Sequence, residues 1–259
     1  MIHVCTVHHR DDRWLRPQLE YLDRCLPLGG WKLYVSFDFT TRYDLTKNHP
    51  GIIVGLKQRI LSYRPHHHRK LNKLAQAALS QAESGDSILF CDSDAFPVAS
   101  IDHLVELLPR VKMVAVQRLE HKCEKPHNCF TLVDSDFWRE IDGTWSIKHF
   151  DNFWCRAKKT GMPWIPLRRT AGTSLHPVFF SVYGGVAYHH GAGSRSPILW
   201  KTTRDMSVVE RQCYMKRNKI ISDLVFNNIV EGRGFWDGLD ELNEKKLGDH
   251  EAVGVLASD

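Results

Sequence analysis

Short, continuous apolar runs alternate along the first half of the chain with stretches whose apolar residues recur at helical spacing. The runs predict buried strands, and the stretches between them predict amphipathic helices. The predicted strands are Ile2–Val7, Trp31–Asp38, Gly51–Leu56, Ser87–Phe90 and Val111–Val116. The predicted helices lie at about Arg13–Cys25, within Arg64–Asp86 and at Ile101–Leu108. This order predicts an α/β sandwich, in which helices cover both faces of a parallel sheet.

The second half of the chain has a looser pattern from about Lys122 onwards, with many Trp, Gly and Pro residues. The last regular element predicted is a long helix, Met206–Val230, which is basic on its polar side. No internal repeat, low-complexity block or linker interrupts the sequence. We therefore expect one domain, residues 1–259.

Composition narrows the class of protein. The 259 residues are 42% hydrophobic and 25% charged, which is typical of globular proteins and excludes a disordered, collagenous or coiled-coil chain. No apolar stretch approaches the roughly 18 residues of a membrane span, and charges follow the first strand at once, unlike a secretory signal. Seven scattered cysteines indicate reduced thiols and a cytoplasmic location. The net charge of +5 favours an anionic partner, either a phosphate-bearing ligand or nucleic acid.

Two carboxylates follow the strand that contains SILF, at Asp92 and Asp94. A chain with 19 Asp residues should contain about 1.4 Asp-x-Asp triplets by chance, so the pattern alone proves nothing. Context separates this triplet from Asp134-Ser135-Asp136, where Asp136 is expected to cap a short helix. In a parallel sheet ligands bind beyond the carboxyl ends of the strands, which is where Asp92 and Asp94 are expected. Paired carboxylates suit Mg²⁺ or Mn²⁺, and a pair of turn aspartates is the competing interpretation.

The stretch HRKLNKLAQAALSQAESGDSILFCDSDAFPV resembles the centre of GT-A-type glycosyltransferases that use nucleotide sugars. HFDNFWCRAKKTG (His149–Gly161) and YHHGAGSR (Tyr188–Arg195) resemble later segments of that superfamily, in the same order. The resemblance implies a GT-A-like, Rossmann-like fold: a mixed, mainly parallel sheet flanked by helices, with a long C-terminal helix. Residues 1–120 would form the nucleotide-sugar-binding half, and residues 121–259 the acceptor-binding half.

The resemblance also implies a metal site and a donor site. Asp94 would be the stronger ligand of Mn²⁺ or Mg²⁺, and Asp92 would bind the metal through water or bind the ribose. One histidine of the late segment would complete the metal site; because neighbours in an extended segment point opposite ways, we expect either His189 or His190, and prefer His190. The donor is expected to be UDP- or GDP-linked.

Further residues are expected around the donor. Gly191, Gly193, Ser194 and Arg195 form a donor-rich loop suited to a diphosphate, unless it is a plain glycine turn. Lys70 and Asn72 resemble nucleotide contacts of the superfamily; their positions off the apolar stripe also fit exposure to water. Position alone places Thr6, His8 and Asp38 where this fold binds the nucleobase and ribose.

Asp151 is the candidate general base, because an inverting transfer needs a carboxylate to deprotonate the acceptor hydroxyl. A helix-capping role fits it equally, and the stereochemistry stays open. The acceptor is expected to be a glycan, a lipid-linked sugar or another hydroxyl compound; the basic, Trp-rich second half also allows a nucleic-acid acceptor. His121, Cys123, His127 and Cys129 are closely spaced zinc-type residues without a distant second pair. Alternative functions are a metal-dependent nucleotidyltransferase or phosphohydrolase and a non-catalytic nucleic-acid-binding protein.

Overall fold

The structure is a computed structural model that describes most of the chain. The described residues are 1–9, 13–27, 30–38, 52–57, 67–146, 151–173, 175–176, 178–191, 204–230 and 234–244. At positions 38, 52–57, 151, 152 and 230 it describes the backbone alone.

A seven-stranded sheet forms the centre of the molecule, with the strand order β3-β2-β1-β4-β7-β6-β8. β7 is antiparallel to both of its neighbours, and the other strand pairs in this sheet are parallel. The strands are β1 (Ile2–His9), β2 (Trp31–Asp38), β3 (Ile52–Lys57), β4 (Ser87–Asp92), β6 (Met113–Gln117), β7 (Pro126–Asp134) and β8 (Ile165–Leu167). The expected mixed, mainly parallel sheet is therefore confirmed.

A smaller, fully antiparallel sheet continues directly from the large one. Its order is β5-β11-β10-β9, and its strands are β5 (Ala95–Pro97), β9 (Arg169–Gly172), β10 (Ser181–Tyr183) and β11 (Ala187–His189). Only Ser93 and Asp94 separate β4 of the large sheet from β5 of the small one. The two sheets therefore meet where the sequence predicts ligand-binding carboxylates.

Helices cover both faces of the large sheet. The described helices are α1 (Leu15–Cys25), α2 (His67–Leu79), α3 (Asp102–Val111), α4 (Ser135–Glu140), α5 (Asp151–Lys159), α6 (Val208–Val230) and α7 (Phe235–Glu244), with a 3-10 turn at Leu119–His121; the first five cover the large sheet. On one face α1 and α3 bury Leu15, Leu19 and Leu104. On the other face α2, α4 and α5 pack their apolar residues into a second core. Burial of apolar surface on both sides explains why these strands read as continuous apolar runs.

The long C-terminal helix α6 is confirmed, but it is not the last element. Its buried residues Ile221 and Val225 pack with Phe96 and Tyr188 of the small sheet. α7 follows and adds Phe235, Leu239 and Leu242 to the same core. The spacing of these three apolar residues is helical, but the surrounding Gly, Asp and Glu residues made the segment resemble a polar tail, so no helix was predicted there.

The described helices include none that is both long and apolar enough to cross a membrane. All seven cysteines lie in the described part of the chain, and all are free thiols. Cys5, Cys91 and Cys129 are buried in the sheet, where burial raises the pKa of each thiol. These three cysteines therefore act as small apolar core residues.

Candidate functional site

A tight turn at the carboxyl end of the large sheet carries the two aspartates. β4 ends at Asp92, Ser93-Asp94 form the turn, and Ala95 begins β5. In the small sheet β11 pairs antiparallel with β5, and this register sets His189 opposite Ala95. Strand pairing thus delivers one imidazole to the two carboxylates from a segment about 100 residues further along the chain.

Asp92, Asp94 and His189 converge closely enough to share one cation. One ligand atom from each lies within 4.8 Å of the other two. His189 Nε2 is 3.7 Å from Asp92 Oδ2 and 3.7 Å from Asp94 Oδ1. Ligand atoms about 2.2 Å from one cation stand about 3.1 Å apart at right angles and about 4.4 Å apart when opposite. The three residues therefore fit a divalent cation, and two oxygen donors with one imidazole suit Mn²⁺ or Mg²⁺.

Two further imidazoles border Asp92. His67, the first residue of α2, has its Nε2 3.2 Å from Asp92 Oδ1, whereas His189 faces the other carboxylate oxygen. His127 in β7 lies beside His189, with ring centroids 5.9 Å apart. Neither residue was expected at the metal site; the run His66–His68, near the start of the segment Arg64–Asp86 predicted to contain a helix, was the available signal.

The electrostatics keep Asp92 ionised and His127 neutral. Burial raises the pKa of Asp92, but the close contact with His67 and the fields of His67 and His189 outweigh it, so the pKa falls below its ordinary value. Burial, assisted by the positive charge of Arg118, lowers the pKa of His127 to about 3. His127 Nδ1 accepts a hydrogen bond from the Cys129 N–H over 3.1 Å, so its proton sits on Nε2 in the neutral ring.

The structure places His189, and not His190, beside the aspartates, which corrects the preference for His190. His190 is completely buried, and its ring nitrogens hydrogen-bond with the hydroxyls of Tyr188 and Ser222 over 2.9 and 2.8 Å. Adjacent residues of an extended segment point to opposite sides, and the pairing of β11 with β5 selects which side faces the turn. His190 contributes through its backbone instead, because its N–H donates to Asp94 O over 3.0 Å.

Lys70 and Asn72 of α2 were expected to contact the nucleotide, and both are at least partly covered by other parts of the chain. Asn72 donates to Trp145 O over 3.0 Å and accepts from Trp145 N over 2.8 Å, so its amide fixes a loop. This contact corrects the prediction that Asn72 faces the nucleotide. Lys70 is buried, and burial lowers the pKa of its ammonium group. It lies one turn after His67 on the same side of α2.

The residues expected to hold the base and ribose are mostly internal. Thr6 and His8 are fully buried within β1, which extends to His9 and is longer than predicted. Their burial corrects the prediction that they line a nucleotide pocket. Asp38 ends β2 opposite His9, at the expected edge, but its side chain lies outside the described part of the structure.

Several candidate residues fall partly or wholly outside the described residues. Gly193, Ser194 and Arg195 are among them, and so is the side chain of Asp151, whose backbone begins α5. Gly191 is described and has φ +88°. A Cβ there would lie 2.8 Å from Phe179 Cδ1, so the turn itself requires a glycine.

Gln18 supports the turn and was missed in the sequence. Its side-chain amide donates to the backbone carbonyls of Asp92 and Ala95, and the residue is completely buried. Gln18 stands between Leu15 and Leu22 on the apolar face of α1. A polar residue inside a buried stripe was the signal that could have found it.

The zinc-type cluster does not form a site. Cys129 is buried, Cys123 Sγ contacts Lys125 O, and His121 contacts Arg118. In the described part of the chain, Asp92, Asp94 and His189 are the only His, Cys, Asp or Glu residues that converge as metal ligands.

The second Asp-x-Asp triplet is structural, as the sequence indicated, but a different residue forms the cap. Asp134, not Asp136, caps α4 by accepting from Phe137 N over 2.7 Å. Asp136 instead accepts from Ser84 and Arg139.

No family model and no curated protein matches the sequence. Among solved structures the chain is similar to TarS from S. aureus in complex with UDP-GlcNAc, at 12% identity over 97% of this chain and 72% of that one, with a TM-score of 0.49. It is similar to the mannosyltransferase PcManGT from Pyrobaculum calidifontis in complex with GDP-Man and Mn²⁺, at 11% identity over 98% and 77%, with a TM-score of 0.45. It is also similar to 2-C-methyl-D-erythritol 4-phosphate cytidylyltransferase from Francisella tularensis, at 13% identity over 65% and 90%, with a TM-score of 0.37.

Proposed function

We propose that the chain is a metal-dependent glycosyltransferase that moves a sugar from a nucleotide-diphosphate donor to an acceptor hydroxyl. The observation that carries the proposal is the convergence of Asp92, Asp94 and His189 within 4.8 Å at the carboxyl end of the sheet. The ordered resemblance to GT-A-type glycosyltransferases in the sequence supports the same reaction. A divalent cation held by these residues would neutralise the charge of a diphosphate leaving group.

The surroundings of the proposed cation favour an anionic ligand. His67 is one-third exposed beside Asp92, so its imidazole can contact a ligand that approaches the turn. Arg118 lies close enough to lower the pKa of His127, so a cationic side chain is near the site, although its Nε also lies 3.6 Å from Glu120 Oε1. Gly191, Gly193, Ser194 and Arg195 follow β11 directly and remain the proposed diphosphate loop.

The acceptor side of the proposal rests on Asp151. Its backbone position at the start of α5 is compatible with a general base that removes the proton of the acceptor hydroxyl. We propose a glycan, a lipid-linked sugar or another hydroxyl compound as acceptor, and no described residue favours nucleic acid over these. The seven free thiols are compatible with the proposed cytoplasmic location.

Thermal unfolding in the presence of candidate donors tests the proposal. UDP, GDP, CDP, TDP and ADP and their common sugar conjugates, including UDP-GlcNAc and GDP-Man, are added with and without Mn²⁺. A ligand that binds the native state raises Tm, so we expect a shift that one nucleotide class produces only with Mn²⁺. The shift should disappear in Asp94→Ala, while the Tm of that variant without ligand stays close to that of the unaltered protein.

Product analysis separates the alternatives. A glycosyltransferase releases the nucleoside diphosphate as the sugar reaches an acceptor, whereas a nucleotidyltransferase releases pyrophosphate from a nucleoside triphosphate. A phosphohydrolase releases phosphate from simple esters without any sugar acceptor. Absence of a Tm shift with every donor, or full turnover by Asp94→Ala, would contradict the proposal.

A further inference from the structure

The turn that carries the two aspartates is held through its backbone carbonyls. Gln18 Nε2 donates to Asp92 O over 3.0 Å and to Ala95 O over 2.8 Å, which spans the turn from one end to the other. The N–H of His190 donates to Asp94 O over 3.0 Å from the opposite side. Hydrogen bonds to these three carbonyls fix the backbone from which both carboxylates project.

His8 fixes the orientation of the Gln18 amide. Carbonyl oxygens only accept, so the two contacts of Gln18 Nε2 identify it as the NH₂ group and leave Oε1 as the acceptor. His8 Nε2 lies 3.0 Å from Gln18 Oε1 and therefore donates to it. Both side chains are completely buried. The end of β1 is thus connected to the turn through two side chains in a fixed order.

Burial of the polar side chains of His8 and Gln18 costs folding free energy unless hydrogen bonds within the protein replace those made with water. Gln18 lies on the face of α1 that buries Leu15, Leu19 and Leu22. Burial takes the hydrogen bonds with water away from its amide, a cost that an apolar residue would not carry. The hydrogen bonds that Gln18 makes with the carbonyls of the turn and with His8 compensate for this loss. The amide therefore stabilises one particular arrangement of the Asp92–Ala95 backbone.

We propose that Gln18, oriented by His8, is a positioning residue that holds the carboxylates of Asp92 and Asp94 at the separation a divalent cation requires. This inference rests on the proposed function, because it assumes that the two carboxylates bind a cation. Residues that orient metal ligands typically change metal affinity by 10- to 100-fold when they are altered.

Gln18→Met tests the proposal, because Met keeps the unbranched shape of Gln and removes its hydrogen bonds. The affinity of the full chain for Mn²⁺ alone is measured by electron paramagnetic resonance of free Mn²⁺. We expect Kd for Mn²⁺ to rise about tenfold in Gln18→Met. The matched control is Asp134→Ala, which also removes a side-chain hydrogen bond to the backbone but lies at the other end of the sheet. Its Kd for Mn²⁺ should stay within about twofold of the unaltered protein.

His8→Phe provides a second, independent variant. It keeps an aromatic ring next to Phe37, whose ring centroid lies 5.8 Å from that of His8, and removes the donor to Gln18. We expect a smaller rise in Kd for Mn²⁺ than in Gln18→Met. We also expect Gln18→Met combined with His8→Phe to bind Mn²⁺ no more weakly than Gln18→Met alone, because both changes break the same chain of contacts.

The outcomes distinguish this inference from the function on which it rests. If the unaltered protein does not bind Mn²⁺, the proposed metal-dependent function is overturned. If it binds Mn²⁺ and Gln18→Met binds it equally well, the positioning role is overturned while the metal site stands. If Gln18→Met fails to fold, His8→Phe decides, and an unchanged Kd for Mn²⁺ in that variant overturns the role. A Kd that rises equally in Asp134→Ala would show general destabilisation and would also overturn it.

Discussion

Strand β4 has an aspartate at each end, and the two surroundings differ. At the amino end Asp86 accepts from the Met1 amino group over 2.8 Å, from Glu83 N over 2.9 Å, and contacts His3 Nε2 over 3.1 Å. At the carboxyl end His189 Nε2 stands 3.7 Å from both Asp92 and Asp94, which is too far for a hydrogen bond. A short Asp–His contact occurs at both ends, since His67 Nε2 also lies 3.2 Å from Asp92 Oδ1. The carboxyl end differs in that one further imidazole, His189, stands near two carboxylates at once.

At the amino end the partners of Asp86 are hydrogen-bonded in turn to other side chains of the protein. The Tyr34 hydroxyl lies 3.0 Å from His3 Nδ1 and 3.3 Å from Gln81 Oε1, so it can donate to either acceptor. Burial raises the pKa of Asp86, but the hydrogen bonds from Met1, His3 and Glu83 lower it to about 2. The amino end thus holds its aspartate in a network of hydrogen bonds, whereas the carboxyl end is the proposed cation site.

The largest effect is expected from Asp94→Asn at the carboxyl end. Loss of the ligand charge should lower kcat/KM for the donor by at least about a thousandfold, which corresponds to about 4 kcal/mol of transition-state stabilisation. The Tm without ligand should change little, because Asn keeps the shape of the side chain. Steady-state kinetics and thermal unfolding of the same preparation measure both. If kcat/KM for the donor were unchanged in Asp94→Asn, the proposed role of the carboxyl end would be refuted.

His189→Ala and His190→Ala should separate binding from stability between adjacent residues. The first should weaken Mn²⁺ binding by about 10- to 100-fold, by analogy with altered metal surroundings. The second leaves the hydroxyls of Tyr188 and Ser222 without their partner and should lower the free energy of unfolding by about 2–3 kcal/mol. Mn²⁺ titration and urea unfolding of both variants measure the two effects. The reverse result would restore His190 as the metal ligand.

Asp86→Asn should lower the free energy of unfolding by about 2 kcal/mol at pH 7, from the difference between the native pKa and the ordinary value of 3.8. Because the native pKa is the lower one, the contribution of Asp86 is complete above about pH 4 and is lost as the pH falls towards 2. Urea unfolding between pH 7 and pH 3 measures this slope, which should be shallower in the variant. A donor affinity that also fell would show that the two ends of β4 are coupled.

The smallest effect is expected from Tyr34→Phe, which removes one hydroxyl from the network at the amino end. It should cost about 1 kcal/mol of unfolding free energy and leave the Mn²⁺-dependent Tm shift unchanged. His67→Phe is its counterpart at the carboxyl end, and should reduce that shift while leaving the Tm without ligand nearly unchanged, since His67 is partly exposed. Equal behaviour of the two variants would remove the distinction between the ends.

The sequence predicted the parts of this structure that depend on local patterns. Strands β1–β4 and β6, helices α1–α3 between them and the Asp92–Asp94 turn follow from apolar runs and spacing, because burial on both faces leaves that mark on each segment. The antiparallel insertion of β7 was not predicted, since strand order depends on contacts between distant segments.

The site residues that sequence analysis misplaced depend on contacts between distant parts of the chain. The choice between His189 and His190 depends on the register of β11 against β5. Asn72 lies off the apolar stripe of α2 as expected, yet the distant residue Trp145 covers it. Helical periodicity indicates which face is polar but not which loop lies over that face.

The turn between β4 and β5 also joins the two sheets mechanically. Asp92 ends β4 of the large sheet and His189 ends β11 of the small one, so a ligand held by both would tie together strands that lie about 100 residues apart in the chain. Such a tie restricts local opening without adding any apolar contact. Amide hydrogens of β10 and β11 should then exchange with solvent more slowly when Mn²⁺ is present, while those at the amino end of β4 keep their rate.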